Sequence, residues 1–280
     1  MSVIITTDST ADLGECAAKR NVEIQPLTVL LGENSYLDGV NVTPQDIFNH
    51  VKLTGQLPKT SAPSIGDYED FFRPLVEDGD TVIHINISAK SSSSYLHAVA
   101  AAELFKGKVF VVDSKALSTG QGLLVMKACD LRDAGVPAEI IVEKINALRP
   151  FVNTSFVPDR LDYLFKGGRC SRMQMYGANF LKIHPTIEMS DGQLIPSKKY
   201  RGGMDKCVSA YIEALAARYP DYDKTRCFIT HSTAEPELVE VAKKKVAELF
   251  EFDEVIETVA GSIVTSHCGK GTLGVLFIAE

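Results

Sequence analysis

Five consecutive β-branched residues, Val3-Ile4-Ile5-Thr6-Thr7, run into Asp8 and are followed at once by Ser9-Thr10-Ala11-Asp12. β-branched side chains suit a pleated strand, and an unbroken run suits one buried on both faces. A hydroxyl with an acid three residues on reads as a helix start of the capping-box kind. This unit, a buried strand and then a helix start, recurs. Val22–Leu31 is strand-like, and Thr43-Pro44-Gln45-Asp46 opens a helix with a hydroxyl cap, an N1 proline and an early acid, ended by Gly55. Ser64 with Asp67 opens another helix. Thr81–Ile87 and Lys108–Val112 are strands around a serine-rich turn and a helix over Tyr95–Phe105. Two helices broken at Gly135-Val136-Pro137 fill Ser118–Leu148. Strands spaced by helices predict an α/β fold with a mainly parallel sheet covered by helices on both faces.

The second half reads differently. Ile183–Met189 and Gln193–Tyr200 flank Asp191-Gly192, a dipeptide suited to a tight hairpin turn, so antiparallel pairing enters here. A helix (Asp205–Arg218), a strand (Arg226–Thr230), a helix (Glu237–Phe250) and two strands (Glu254–Val259, Leu273–Ile278) follow. The expectation is two domains, an N-terminal one over 1–155 and a C-terminal one over 156–280 with a mixed sheet and helices. Arg149-Pro150 closes the long helical stretch just before the division.

Composition narrows the function classes. A net charge of −7 argues against general affinity for nucleic acid or anionic membrane. No apolar stretch approaches the roughly 20 residues of a spanning helix, and the first residues lack a signal-peptide pattern, so a cytoplasmic location is expected. The six cysteines are scattered without a Cys-x-x-Cys, which fits buried thiols better than bridges or metal ligands. There is no G-x-S-x-G elbow, no H-E-x-x-H and no histidine pair spaced for zinc, so neither a metal nor a cofactor is expected. Gly269-Lys270-Gly271-Thr272 has Val264 where a phosphate loop needs its first glycine.

Two hydroxyl-rich segments stand out. Thr60-Ser61-Ala62-Pro63-Ser64 directly precedes a helix, and Ser88-Ala89-Lys90-Ser91-Ser92-Ser93-Ser94-Tyr95 joins a strand to a helix. In an open parallel sheet, ligands sit outside the carboxyl ends of strands, where such loops gather. Hydroxyls and free helix-start N–H groups together suit a carboxylate or a phosphate. Ordinary helix caps use the same residues. A basic set lies in the other half: Lys166-Gly167-Gly168-Arg169-Cys170-Ser171-Arg172, Lys198-Lys199-Tyr200-Arg201 and Ser266-His267-Cys268-Gly269-Lys270. These read either as solvated basic turns or as a surface for an anion or an acidic partner.

Four segments, in order along essentially the whole chain, resemble one family. Asp8-Ser9-Thr10-Ala11-Asp12-Leu13 is similar to the D-S-T/S-x-D-L of the DegV family, and Thr60-Ser61-Ala62-Pro63-Ser64 to its T-S-x-P-S. Leu161-Asp162-Tyr163-Leu164 with Lys166-Gly167-Gly168-Arg169 resembles its L-x-x-L-x-K-G-G-R-I, and His267 through Gly274 its terminal H-x-G-P-G-x-x-G. The resemblance implies a fatty-acid-binding protein, a carrier and not an enzyme, that holds one long-chain fatty acid between its two domains. It implies that Thr60, with Ser61 beside it, and Ser92 bind the carboxylate. Arg169 and His267 would stand near the head group, and Arg201 and Arg172 near it or at a docking surface. The implied partner is an ATP-dependent fatty acid kinase. The chain departs from the pattern at Ser91, Ser93 and Ser94, where the family has leucine, glycine and threonine. Cys170 stands for isoleucine and Lys270 for proline.

Two other classes compete. A serine hydrolase for acyl esters would use Ser92 or Ser61 with His267 and an acid such as Asp8. A phosphate- or nucleotide-binding regulator would use the same helix starts.

Overall fold

The computed structural model describes residues 2–77, 79–170 and 183–280. Its first sheet is parallel throughout, in the order β2-β1-β6-β7, from β1 (Val3–Asp8), β2 (Glu23–Gln25), β6 (Thr81–Asn86) and β7 (Val109–Asp113). Alternate residues serve opposite faces, as the pleat dictates. Ile5, Ile83 and Ile85 pack on α5 (Thr119–Asp133) and α6 (Ala138–Leu148). Ile4, Val82 and Val109 pack on α3 (Ile65–Glu77) and α4 (Ser94–Ala102). Helices thus cover both faces.

The second sheet has seven strands in the order β11-β10-β9-β14-β12-β13, with β8 also paired to β14. They are β8 (Val152–Asn153), β9 (Ser155–Val157), β10 (Ile183–Ser190), β11 (Gln193–Arg201), β12 (Tyr222–His231), β13 (Val255–Val259) and β14 (Leu273–Ala279). Among the described residues β12 and β13 run parallel and the other pairs antiparallel, so the sheet is mixed. On one face, α8 (Met204–Arg218) and α9 (Pro236–Leu249) build an apolar core around Tyr211, Val246 and Phe277. On the other, Phe228, Leu276 and Ile278 meet α5.

Helix α5 therefore lies between the two sheets, and ten of its residues are buried. Two glycines permit that approach. A Cβ on Gly122 would meet the Ala11 carbonyl at 2.9 Å, and one on Gly120 would fall 2.0 Å from Thr154 Oγ1.

A small antiparallel sheet, β4-β3-β5, sits beside these two. It comprises β3 (Thr28–Leu31), β4 (Asn34–Leu37) and β5 (Lys59–Ser61). Leu27 and Val29 pack with Ile47 of α2 (Pro44–Thr54) and with Ile263 of α10 (Ser262–Cys268). Among the described residues, the remaining α-helices are the short α1 (Glu15–Lys19) and α7 (Asp162–Lys166).

Several expectations need correction. The stretch from Val22 to Leu31 is two strands in different sheets, divided around Pro26, whose missing N–H cannot serve a ladder. The turn after β1 is a three-residue 3-10 turn, Ser9–Ala11, capped by Asp8 and not by Ser9, and Asp12 closes it at a left-handed φ of 50°. The segment around Ser266 and His267 is the last part of helix α10, not a loop. By contrast, Thr43 and Asp46 form the full capping box, and Asp191-Gly192 turns the β10–β11 hairpin.

Five of the six cysteines are buried. Among the described residues, no helix is long and apolar enough to cross a membrane.

Candidate functional site

The parallel sheet reverses its strand order between β1 and β6, and such a crevice at the carboxyl ends of strands is where open α/β sheets place ligands. Asp8, the last residue of β1, organises that edge. Its buried carboxylate accepts from the Thr10 amide and hydroxyl, the Asn86 side chain, the Ile87 amide and Gln121. Burial, the largest cause, nevertheless holds its pKa above the usual aspartate value. Asn86 also donates to Tyr68 Oη, which is 2.6 Å from Ser94 Oγ. Asp8 is thus a structural clamp on the loops leaving β1 and β6.

Beside this edge lies a cavity of about 240 Å³. Leu27, Ile87, Leu117, Leu194, Ile263 and Val264 supply its apolar wall. Thr60, Ser61, Ser91, Ser92, Ser93, Arg169 and His267 supply its polar groups. Most of these residues come from β5 and β11, from the loops that follow β6 and β7, from the segment after α7 and from α10.

Thr60 is placed by β5, where it pairs with Val29. Its hydroxyl lies 2.9 Å from Nε2 of His267, on the last turn of α10. The other ring nitrogen, Nδ1, is buried and has no hydrogen-bond partner among the described residues. Gly167 packs against it so closely that a Cβ there would come within 2.8 Å. Burial, with the Arg169 charge second, pushes the imidazole pKa down to about 3, so the ring is neutral at ordinary pH. An unsatisfied lone pair costs less than an unsatisfied buried N–H, so the single proton belongs on Nε2. His267 then donates to Thr60, and the Thr60 hydroxyl proton is free to donate to a third group.

The serine loop faces this pair across the cavity. The Ser91 and Ser92 amides donate to the Ser88 carbonyl, which closes a tight turn. Ser92 Oγ accepts weakly, at 3.2 Å, from the Ser94 amide at the start of α4, leaving its proton unassigned. Arg169 is exposed at the rim and donates to the Gly167 carbonyl. Ser61 donates to the Ala62 carbonyl at 3.2 Å.

Five of the expected site residues, Thr60, Ser61, Ser92, Arg169 and His267, therefore meet at one cavity. Arg201 does not line it. It ends β11 seven residues beyond Leu194, roughly 23 Å along an extended strand. Arg172 lies outside the described residues. Ser91 and Ser93 of the serine run also line the cavity, as does Leu194, whose strand pattern carries no signal of a site.

A family model described as "Uncharacterised protein, DegV family" matches residues 2–280. The chain belongs to the DegV family. A DegV domain-containing protein of Staphylococcus aureus is 30% identical over 278 residues, covering 99% of each chain. Among solved structures, a fatty-acid-binding DegV family protein from Thermus thermophilus superposes with a TM-score of 0.93 at 28% identity, covering 100% of both chains. A DegV lipid-binding protein from Thermotoga maritima gives 0.88 at 30% identity, covering 100% of this chain and 99% of that one. DegV homologues thus bind fatty acids, and the α/β architecture of this DegV chain is theirs.

Proposed function

We propose that this chain binds one long-chain fatty acid, with the carboxylate at Thr60 and Ser92 and the acyl tail in a tunnel between the two domains, 1–155 and 156–280. The observation that carries the reading is the Thr60–His267 pair, a neutral donor relay at the polar end of a cavity whose remaining wall is largely apolar.

The physical chemistry favours a lipid. Each methylene buried contributes about 0.8 kcal/mol, so a palmitate-length tail gains on the order of 10 kcal/mol gross. The entropy of association removes a good part of that. A hydroxyl donating to a charged group adds roughly 1.5–3 kcal/mol and fixes orientation. A second, narrow space behind Leu117, Val264 and Cys268 offers the tail a continuation.

The protein acts as a carrier in the cytoplasm, and the chemistry at the carboxylate is left to an ATP-dependent fatty acid kinase. That handover rests on the family resemblance of Lys166 through Arg169 and His267 through Gly274, with Arg169, Arg201 and Arg172 as docking or head-group residues. No cofactor is needed for holding a fatty acid.

A hydrolase fits the geometry less well. A triad needs an acid on the ring nitrogen remote from the nucleophile. In His267 that nitrogen is buried without a partner among the described residues, and Asp8 is committed to the loops after β1 and β6. The deciding experiment pairs an oleate titration with fluorophosphonate labelling. Stoichiometric oleate binding without serine labelling supports the carrier; labelling of Ser92 or Ser61 supports the hydrolase and overturns it.

A further inference from the structure

The tip of the β10–β11 hairpin rests on two loops of the first sheet beside the cavity. Asp191, at the turn, bridges two lysines, with its carboxylate oxygens 2.7 Å from Lys90 Nζ and 2.7 Å from Lys115 Nζ. Lys90 belongs to the loop after β6 and Lys115 to the loop after β7. Next to it, Ser88 Oγ donates to the Gly192 carbonyl at 2.7 Å.

The platform under the tip is built for the contact. Asp113 Oδ1 accepts from the amides of both Ala89 and Lys115, and the Ser88 amide donates to the Ala116 carbonyl, so the two loops are fastened together. Lys115 is held at a left-handed φ of 52°. Gly192 is required twice over. Its φ is 79°, and a Cβ would meet Ser88 Oγ at 2.6 Å. Non-glycine residues at positive φ persist only where their surroundings fix them.

The same residues also touch the site. Ser88, fully buried, offers its hydroxyl to the hairpin and its carbonyl to the amides of Ser91 and Ser92. Two residues beyond Gly192, Leu194 forms part of the cavity wall. The Leu194 carbonyl also accepts from Cys170 Sγ.

We infer that the β10–β11 tip is a strap that holds the cavity closed, fastened by Asp191 on Lys90 and Lys115 and by Gly192 on Ser88. Ser88 is the positioning residue through which strap docking sets the geometry of the Ser91–Ser92 turn. The ionic part of the fastening is solvent-exposed, with all three charged side chains between 44% and 67% exposed. It is therefore weak enough to open for ligand exchange and is screened by salt. This inference rests on the fatty-acid reading for its ligand, though not for the contact itself.

The test has two arms on the full chain. In the first, the protein is loaded with oleate, and transfer to phosphatidylcholine vesicles is timed at 50 mM and 500 mM salt for the wild type, Asp191→Asn and Ser88→Ala. The expected result is transfer roughly threefold to tenfold faster in Asp191→Asn at low salt. High salt speeds the wild type and leaves Asp191→Asn unchanged. Equal rates with equal salt dependence would overturn the strap. In the second arm, hydrogen–deuterium exchange follows the 183–201 amides without ligand. Faster exchange near the tip in Asp191→Asn and in Lys90→Met/Lys115→Met supports the strap, and unchanged exchange overturns it. If wild type takes up no oleate, the fatty-acid reading fails in the first arm while the second still decides the strap.

Discussion

The Thr60 hydroxyl and Nε2 of His267 lie 2.9 Å apart across 207 positions of sequence, joining a three-residue strand to the end of a seven-residue helix. Because the ring is neutral and Nδ1 has no acceptor among the described residues, His267 donates to Thr60 and the Thr60 proton is left for a third group. The direction of that relay is what makes Thr60 a donor at the cavity.

Removing the hydroxyl while keeping the shape isolates its contribution. Thr60→Val should weaken oleate binding by tenfold to about a hundredfold, the loss of roughly 1.5–3 kcal/mol for a bond to a charged acceptor. Thr60→Ser should keep most of the affinity. Competition against a fluorescent fatty acid reads both, and equal affinity in Thr60→Val would remove Thr60 from the head-group site.

Gly167 supports the relay from behind. Gly167→Ala should displace His267, because its new methyl would stand 2.8 Å from Nδ1 and 2.7 Å from the Tyr163 carbonyl. The expected outcome is a loss of oleate affinity comparable to that of His267→Ala, and little further loss when the two are combined, since both act on one contact. Full additivity in the double variant would contradict the coupling.

His84 gives a pH test independent of the site. Its ring is buried in a cage of Tyr68, Phe71 and Phe72, and burial lowers its pKa to about 3. The unfolded chain therefore binds a proton near pH 6.5 that the folded chain refuses until about pH 3. The contribution from His84 is fully present above pH 6.5 and is lost as pH falls, by roughly 2–3 kcal/mol at pH 4.5. Denaturant unfolding of wild type against His84→Asn should show the variant losing less stability between pH 7 and 4.5. Parallel pH profiles would contradict this reading.

How much of this could be read in the sequence follows from where the information lies. The Thr43–Asp46 box, the break at Gly135-Val136-Pro137 and the Asp191-Gly192 turn are local chemistry, and each stands where its residues require. Strand β5 carries Thr60 but has only three residues, too few to alternate, and its identity as a strand depends on pairing with β3. Helix α10 is missed for a related reason. Six of its seven residues are buried, so it shows no polar face and no helical period. Composition could flag the two hydroxyl runs as anion sites but could not join them to His267. The family resemblance supplied that link. Nothing in the sequence pattern pointed to Ser88 as the contact between the serine turn and the hairpin, because the glycine it requires already looked explained by the turn.

Purified protein examined by native mass spectrometry, then by solvent extraction and lipid analysis, tests the central claim most directly. The expected result is one long-chain fatty acid per chain in the wild type and marked depletion in Thr60→Ala/Ser92→Ala at unchanged thermal stability. A wild-type chain that carries no lipid and takes up neither oleate nor palmitate would contradict it.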